Sequence, residues 1–182
     1  QTCALPIWAG YPEGKRASES LCQAYIQKYG IDVVIPRISR TFGPTMLLSD
    51  SKASSQFIMN AVHKENIVLK SAGTQLYSYA YVADIVSALL FLLVKGQKGE
   101  AYNVSNEHCD ITLRTFAETL ANVAGTKVIH GEATAQEKQG FSKATKALLD
   151  NQKIYALGWR PLYDSMEEPL KHTIKILEGS GN

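Results

Sequence analysis

The 182-residue chain is short of the residues that build metal centres and disulfide frameworks. It has 3 cysteines and 4 histidines. The cysteines Cys3, Cys22 and Cys109 are odd in number and lack C-x-x-C spacing, and none of them forms a ligand pair with a histidine. We therefore expect no metal site and a reducing, cytoplasmic environment.

An excess of one charge and a long apolar run are also missing. The 19 basic and 17 acidic residues are spread along the chain and leave a net charge of +2. This balance argues against nucleic-acid and membrane partners but leaves a small anionic ligand open. The longest apolar run, residues 85–94, is interrupted by Ser87 and is too short to cross a bilayer. The N-terminus lacks the charged start and apolar core of a signal peptide.

A glycine-rich phosphate-binding motif is absent as well. Dinucleotide-binding folds normally begin with a strand, a glycine-rich turn and a helix whose N-terminus receives the pyrophosphate. No G-x-G-x-x-G sequence occurs in this chain. Whatever cofactor the intact protein uses, this chain lacks the main cradle for its phosphates.

The first residues point to a non-native origin. QTCALPI is one reading frame of a common short-read sequencing adaptor. We therefore expect residues 1–8 to be a non-native tail and residues 9–182 to be the C-terminal portion of a longer domain. An ordinary flexible N-terminal tail is the alternative.

Hydrophobic periodicity predicts alternating helices and strands. The predicted helices are 12–29, 54–66, 84–95, 112–125 and 165–179, and the predicted strands are 30–39, 67–70, 77–82, 100–106 and 127–131. Asp84 and Thr112 are predicted N-caps, and Ser165 with Glu168 forms a predicted capping box. This alternation indicates an α/β fold.

A tyrosine and a lysine one helical turn apart are candidates for acid–base chemistry. Tyr11 and Lys15 lie in the segment GYPEGKRASES, where the first predicted helix begins. An ammonium group at this spacing favours the phenolate form of a tyrosine, and it can also hydrogen-bond a cofactor ribose. On spacing alone, a helix-capping aromatic beside a solvated lysine is the simpler interpretation.

The order of several motifs favours the catalytic interpretation. The blocks are YPEGKRASESLCQAYIQKYGIDVVIPRISRTFGPTM, AGTQLYSYAYVADIVSAL, EAYNVSN and ALGWRPLYDSMEEPL. In this order they resemble the C-terminal half of extended short-chain dehydrogenases/reductases, the NAD-dependent nucleotide-sugar epimerases, dehydratases and decarboxylases. The EGKR segment and the FGPTM turn look closest to the UDP-glucuronate decarboxylase and dTDP-glucose 4,6-dehydratase branches.

This resemblance implies a particular part of an α/β fold. We expect the last elements of a Rossmann-type doubly wound sheet and a small α/β substrate-binding domain, with the N-terminal dinucleotide-binding half missing. Arg37 is expected to be a structural hydrogen-bonder. Phe42, Phe57, Tyr81 and the turn at Trp159 are expected to pack in the core.

The same resemblance assigns roles to individual residues. Tyr11 matches the catalytic general acid/base, and Lys15 matches the lysine that tunes it and binds the nicotinamide ribose of NAD. Ser39 falls where the family's backbone runs beside the nicotinamide. Arg40 stands where relatives have an asparagine that touches the nucleotide sugar, and Tyr77 where many have a diphosphate-binding arginine.

Lys70 is a further substrate-binding candidate, because residues 67–73 match the stretch that lines the nucleotide. Thr45 also departs from the family, because relatives usually have an arginine there. Together with Arg40 and Tyr77, this difference leaves the identity of the substrate open. Many relatives carry the positive charge that binds the substrate diphosphate at the position of Tyr77. If Arg40 and Tyr77 face one pocket, this chain carries that charge on the other wall, at Arg40. Alternatively, Arg40 pairs with a surface carboxylate and never meets the substrate.

The resemblance also implies an activity for the intact protein. We expect an NAD-dependent enzyme that oxidises a hexose ring carbon, with C4 the expected position, in a UDP- or dTDP-hexose. It would then epimerise, dehydrate or decarboxylate the sugar, and it would be a homodimer. A non-catalytic relative that binds a dinucleotide or a nucleotide sugar is the alternative, although the presence of both Tyr11 and Lys15 argues against it.

Overall fold

The computed structural model describes residues 10–47, 49–139, 141 and 144–179. Its helices are α1 (Gly10–Tyr29), α2 (Ala53–Val62), α3 (Val82–Lys95), α4 (Leu113–Ala124), α5 (Ala135–Gln139), α6 (Gln152–Ala156) and α7 (Glu167–Gly179). Its strands are β1 (Ile35–Ile38), β2 (Arg40–Phe42), β3 (Ile67–Leu69), β4 (Leu76–Tyr81), β5 (Ala101–Val104), β6 (Asp110–Thr112), β7 (Val128–His130) and β8 (Lys146–Ala147). The predicted tail 1–8, including Cys3, lies outside the described residues.

The strands pair mostly in parallel, which confirms the predicted α/β class. β1 pairs with β5, β2 with β4, and β3 with β7, all in parallel. β4 is the most connected strand, because it also pairs with β8 in parallel and with β6 in antiparallel orientation. Helices connect the successive parallel strands, as this strand direction requires.

The predicted strand 30–39 begins earlier than the observed strand β1, and it does not include the strand β2 that follows. Regular pairing begins at Ile35, and the chain changes partner at Ser39, whose backbone N–H donates to the Val104 carbonyl at 3.0 Å. The next three residues form β2, with Arg40 opposite Tyr79. The predicted strand thus corresponds to β1 alone, and β2, which follows it and pairs with a different neighbour, was not predicted.

Two hydrophobic clusters hold the elements together. The larger one packs α2, α4 and α7 against strands β2 to β4; its fully buried members include Tyr79, Phe116, Ile58, Leu120 and Leu170. The smaller one packs α3 against β5, α6 and Trp159. Phe42, Phe57, Tyr81 and Trp159 are buried, which confirms their predicted place in the core. Each large apolar side chain buried in this way contributes about 1.5–3 kcal/mol.

Helix α1 has no buried residue, although its apolar residues recur at helical spacing. Leu21 and Tyr25 are exposed. Polar contacts attach the helix to the rest of the chain: Gln23 donates to the Gly99 carbonyl at 2.7 Å, and Arg37 donates twice to Glu19, at 2.9 and 2.6 Å. Arg37 is thus a structural hydrogen-bonder, as predicted.

The prediction that Asp84 caps α3 is wrong. β4 runs directly into α3, so that Tyr81 is the N-cap and Asp84 lies in the first turn. The Asp84 carboxylate is buried and accepts hydrogen bonds from the Leu162 N–H at 2.6 Å and from the Asn106 side chain at 3.2 Å. Burial raises the pKa of this carboxyl group above its usual range.

Residues 144–179, here called the C-terminal strap, contact β4, α3 and the residue that follows β5. Leu149 N–H donates to Ser78 Oγ at 2.9 Å, and Trp159 Nε1 donates to Ser87 Oγ at 2.9 Å. The Asn151 side chain exchanges hydrogen bonds with Ser105 inside the protein. The predicted capping box is displaced by one residue, because α7 begins at Glu167 and Met166, not Ser165, directly precedes it.

Candidate functional site

A pocket of about 1030 Å³ opens beside the β2–β4 pair. Its walls come from these two strands, from the C-terminal end of β3, from the first half of α2 and from α5 with the residues around it. Arg40, Lys70 and Tyr77 all line it. The three predicted substrate-binding residues, which are up to 37 positions apart in the sequence (77 − 40), therefore meet at one site.

Arg40 and Tyr77 are in direct contact in this pocket. The Arg40 guanidinium carbon lies 3.8 Å from the centroid of the Tyr77 ring, a cation–π geometry. The Tyr77 ring is buried, its hydroxyl donates to the Ala144 carbonyl at 3.2 Å, and Tyr79 meets it edge to face. Burial raises the pKa of Tyr79 to about 12 against the opposing effect of Arg40, so the phenol stays neutral.

Lys70 lies in the pocket wall but is already paired. Its Nζ atom lies 2.6 Å from Glu137 Oε1. The hydrogen bond from Lys70 is the main reason that the pKa of Glu137 falls to about 2, and hydrogen bonds from Thr134 assist it. Glu137 and Thr134 also exchange hydrogen bonds at the start of α5. Glu137 was not predicted as a site residue, although the T-x-x-E spacing is a capping-box signal.

Tyr11 and Lys15 lie on one side of α1, with Lys15 Nζ 5.5 Å from the centroid of the Tyr11 ring. The Tyr11 side chain is 76% exposed. Neither residue is among those that line the pocket. The structure therefore brings this pair together but does not join it to the pocket residues.

Five buried side-chain polar atoms lack a hydrogen-bond partner within the described residues, and two of them lie at or next to the residues discussed above. One is Ser39 Oγ, at the junction of β1 and β2 and next to Arg40 in the chain. The other is Gln75 Oε1, in the pocket wall. A buried polar atom without a partner costs free energy, so both atoms would gain from a ligand that supplies one. Gln75 was not predicted from the sequence, where a single amide carries no spacing signal.

Other kinds of site find no support in the part of the chain that the structure describes. It contains no group of three or more His, Cys, Asp or Glu side chains placed to hold a metal ion. Cys22 and Cys109 are free thiols, and burial raises the pKa of Cys109 to about 12, which makes it a poor nucleophile. No helix within the described ranges is long and apolar enough to span a bilayer.

Parallel strands joined by helices, with a pocket beside one strand pair, define an α/β domain with a candidate small-molecule site. Among the described residues the Arg40 guanidinium in the pocket wall has no acidic partner, an arrangement suited to an anionic ligand. The chain belongs to the NAD dependent epimerase/dehydratase family, whose model matches residues 2–105.

Comparisons with individual proteins agree with this membership. The chain is 32% identical over 180 residues to UDP-glucuronic acid decarboxylase 1 of Xenopus tropicalis, covering 96% of this chain and 41% of that protein. It is 28% identical to dTDP-D-glucose 4,6-dehydratase of Mus musculus, covering 91% of this chain and 46% of that protein. The chain thus spans less than half the length of these curated relatives.

A solved structure shares the fold over nearly the whole chain. UDP-N-acetylglucosamine 4-epimerase from Methanobrevibacter ruminantium, in complex with UDP-N-acetylmuramic acid, superposes with a TM-score of 0.81 at 21% identity. The match covers 97% of this chain and 55% of that one. At this identity the likeness concerns the fold alone, and it confirms the predicted Rossmann-type architecture.

Proposed function

We propose that this chain carries the substrate-binding part of an NAD-dependent enzyme that epimerises or dehydrates a nucleotide sugar through transient oxidation of a hexose ring carbon. The observation that carries the proposal is the meeting of Arg40, Lys70 and Tyr77 in one pocket. Membership of the epimerase/dehydratase family supports it. A UDP- or dTDP-hexose is the proposed substrate.

Tyr11, Lys15 and Ser39 are the residues proposed to contact NAD. The unpartnered Ser39 hydroxyl fits a polar group of the cofactor, and the Lys15 ammonium fits a ribose hydroxyl. When bound, NAD supplies the hydride acceptor. These residues fit the nicotinamide end alone, because the chain has no G-x-G-x-x-G sequence for the pyrophosphate.

Tyr11 is the proposed general acid/base. In its phenolate form the exposed side chain can take a proton from a sugar hydroxyl and become a neutral phenol, and the charge of the nearby Lys15 ammonium favours that phenolate. Lys15 in turn holds its charge close to the ring, 5.5 Å from the centroid. In this oxidation the hydroxyl proton would pass to Tyr11 and the hydride would leave the carbon that bears the hydroxyl, so that the carbinol becomes a ketone.

Decarboxylation of a UDP-uronic acid is the second candidate function. It is favoured by the 32% identity to UDP-glucuronic acid decarboxylase 1. The two candidates predict different products: release of CO₂ from UDP-glucuronate for the decarboxylase, and none for an epimerase or a dehydratase. Homodimeric assembly and a cytoplasmic location are further parts of this proposal that rest on the sequence.

Substitution of Tyr11 tests the proposal. The chain would be fused to the N-terminal half of a related decarboxylase or dehydratase, and turnover of UDP-glucose, dTDP-glucose and UDP-glucuronate would be measured. We expect Tyr11→Phe to lower turnover by roughly 10²- to 10⁴-fold, the usual contribution of a general acid/base. Tyr25→Phe, at another exposed tyrosine of α1, is the matched control. Turnover of Tyr11→Phe within a few-fold of the unmodified fusion would show that Tyr11 is only structural.

A further inference from the structure

Among the described residues the pocket wall carries three cations, and two of them have an acidic partner. Within the described part of the chain, Lys52 pairs with Asp50 at 3.0 Å and Lys70 pairs with Glu137 at 2.6 Å. Arg40 has neither an acidic partner nor a hydrogen bond from its side chain among the described residues. The alternative in which Arg40 pairs with a surface carboxylate therefore does not hold there. Of these three cations, Arg40 alone has its charge available to a ligand.

The support beneath Arg40 leaves its hydrogen-bonding edge free. A guanidinium carries five N–H donors in one plane, so a ring stacked on its face covers none of them. The Tyr77 ring occupies that face at 3.8 Å. Tyr77 is itself held by its hydrogen bond to the Ala144 carbonyl and by the Tyr79 ring. The guanidinium is thus oriented before any ligand arrives, which lowers the entropy lost on binding.

We infer that Arg40, stacked on Tyr77, is the anchor for the phosphate groups of a nucleoside diphosphate, and that Lys70 is not part of this anchor. The planar fork of a guanidinium matches two phosphate oxygens, which a lysine cannot do. The Glu137 carboxylate, 2.6 Å from Lys70 Nζ, already offsets the Lys70 charge and so weakens its attraction for a phosphate. The ligand class rests on the proposed function, whereas the identity of the anchor rests on the charges and contacts of the pocket.

Calorimetry on the 182-residue chain with UDP, inorganic pyrophosphate and uridine tests the inference. Arg40→Gln should weaken binding of UDP and pyrophosphate by roughly 10- to 100-fold, the size of a lost hydrogen bond to a charged group. Binding of uridine, which has no phosphate, should not change. Arg40→Lys keeps the charge without the fork and should recover only part of the affinity. Lys52→Gln, which removes a paired cation from the same wall, is the matched control.

Two substitutions of Tyr77 test whether its ring supports Arg40. Tyr77→Phe keeps the stacking surface and should bind UDP within a few-fold of wild type, whereas Tyr77→Leu removes the surface and should bind UDP more weakly. Circular dichroism would confirm that each variant is folded.

Three results would overturn the inference. They are unchanged UDP affinity in Arg40→Gln, an equal loss in Lys70→Gln, and no binding of UDP or pyrophosphate by the folded wild-type chain at millimolar concentration. Failure of the proposed function would look different. In that case Arg40→Gln would still lose UDP binding, while Tyr11→Phe would leave the turnover of the fusion unchanged.

Discussion

Asp84 illustrates how burial and hydrogen bonding compete at a single carboxyl group. Burial raises its pKa, and hydrogen bonds from Leu162 and Asn106 act in the opposite direction but do not cancel the effect. The folded chain therefore holds a proton at Asp84 more tightly than the unfolded chain does. The stability that this group contributes is full below its ordinary pKa of about 4 and is lost as the pH rises through the raised value.

Asp84→Asn should separate these two effects. We expect the variant to be less stable by about 1–3 kcal/mol at pH 4, because the new amide cannot accept from the Asn106 side-chain N–H as the carboxyl group does. The deficit should shrink as the pH rises, since wild type alone must bury a charge. Urea unfolding between pH 4 and pH 8 measures it. Glu118→Gln, at an exposed site, should show no such trend, and a deficit that grows with pH would contradict the assignment.

Whether the role of a residue can be predicted depends on how far away in the sequence its contact partners lie. The order of motifs indicated Arg40, Lys70 and Tyr77, and the structure brings all three into one pocket. The role of Asp84 could not be read from its neighbours, because its partner Leu162 lies 78 positions away. The Lys70–Glu137 pair spans 67 positions and was missed for the same reason.

Among the elements, length limits what periodicity can predict, although β3 and β7, with three residues each, were also expected. α1, α3, α4 and β4 are long enough to show a period of 3.6 or 2, and each was expected close to its observed place. The short elements β2, β6, β8, α5 and α6 have two to five residues each and carry no usable period. Three of them are strands that exist because they pair with β4.

The N-cap of α4 gives a prediction at this scale. Thr112 Oγ1 accepts from the Thr115 N–H at 3.0 Å, and Gly125 ends the helix with φ 71°, as the sequence indicated. Thr112→Ala should lower the free energy of unfolding by about 1 kcal/mol, because one N–H of the first turn loses its acceptor. Thr119→Ala, within the same helix, should be neutral or slightly stabilising, since alanine is the better helix former. Equal effects at both positions in urea denaturation would rule out the cap.

For the molecule as a whole, the absent glycine-rich motif governs cofactor affinity. The pyrophosphate of NAD is normally held by backbone N–H groups at a helix N-terminus, and the G-x-G-x-x-G sequence that shapes such a turn does not occur here. We expect the 182-residue chain to bind NAD weakly or not at all and to have no dehydrogenase activity. Calorimetry with NAD on this chain and on the fusion, as positive control, checks it; a micromolar dissociation constant for the chain alone would disprove it.

The C-terminal strap also bears on how the protein is made. Domains begin to fold from their N-terminal side while the chain is still being synthesised. Here the partners of Asp84, Ser87 and Ser105 lie at residues 162, 159 and 151, which are synthesised at least 46 residues later. Until then, these polar groups and the apolar surface next to them stay uncovered. The nascent chain thus passes through a stage in which these groups are exposed, and a stop codon before residue 150 would make that exposure permanent.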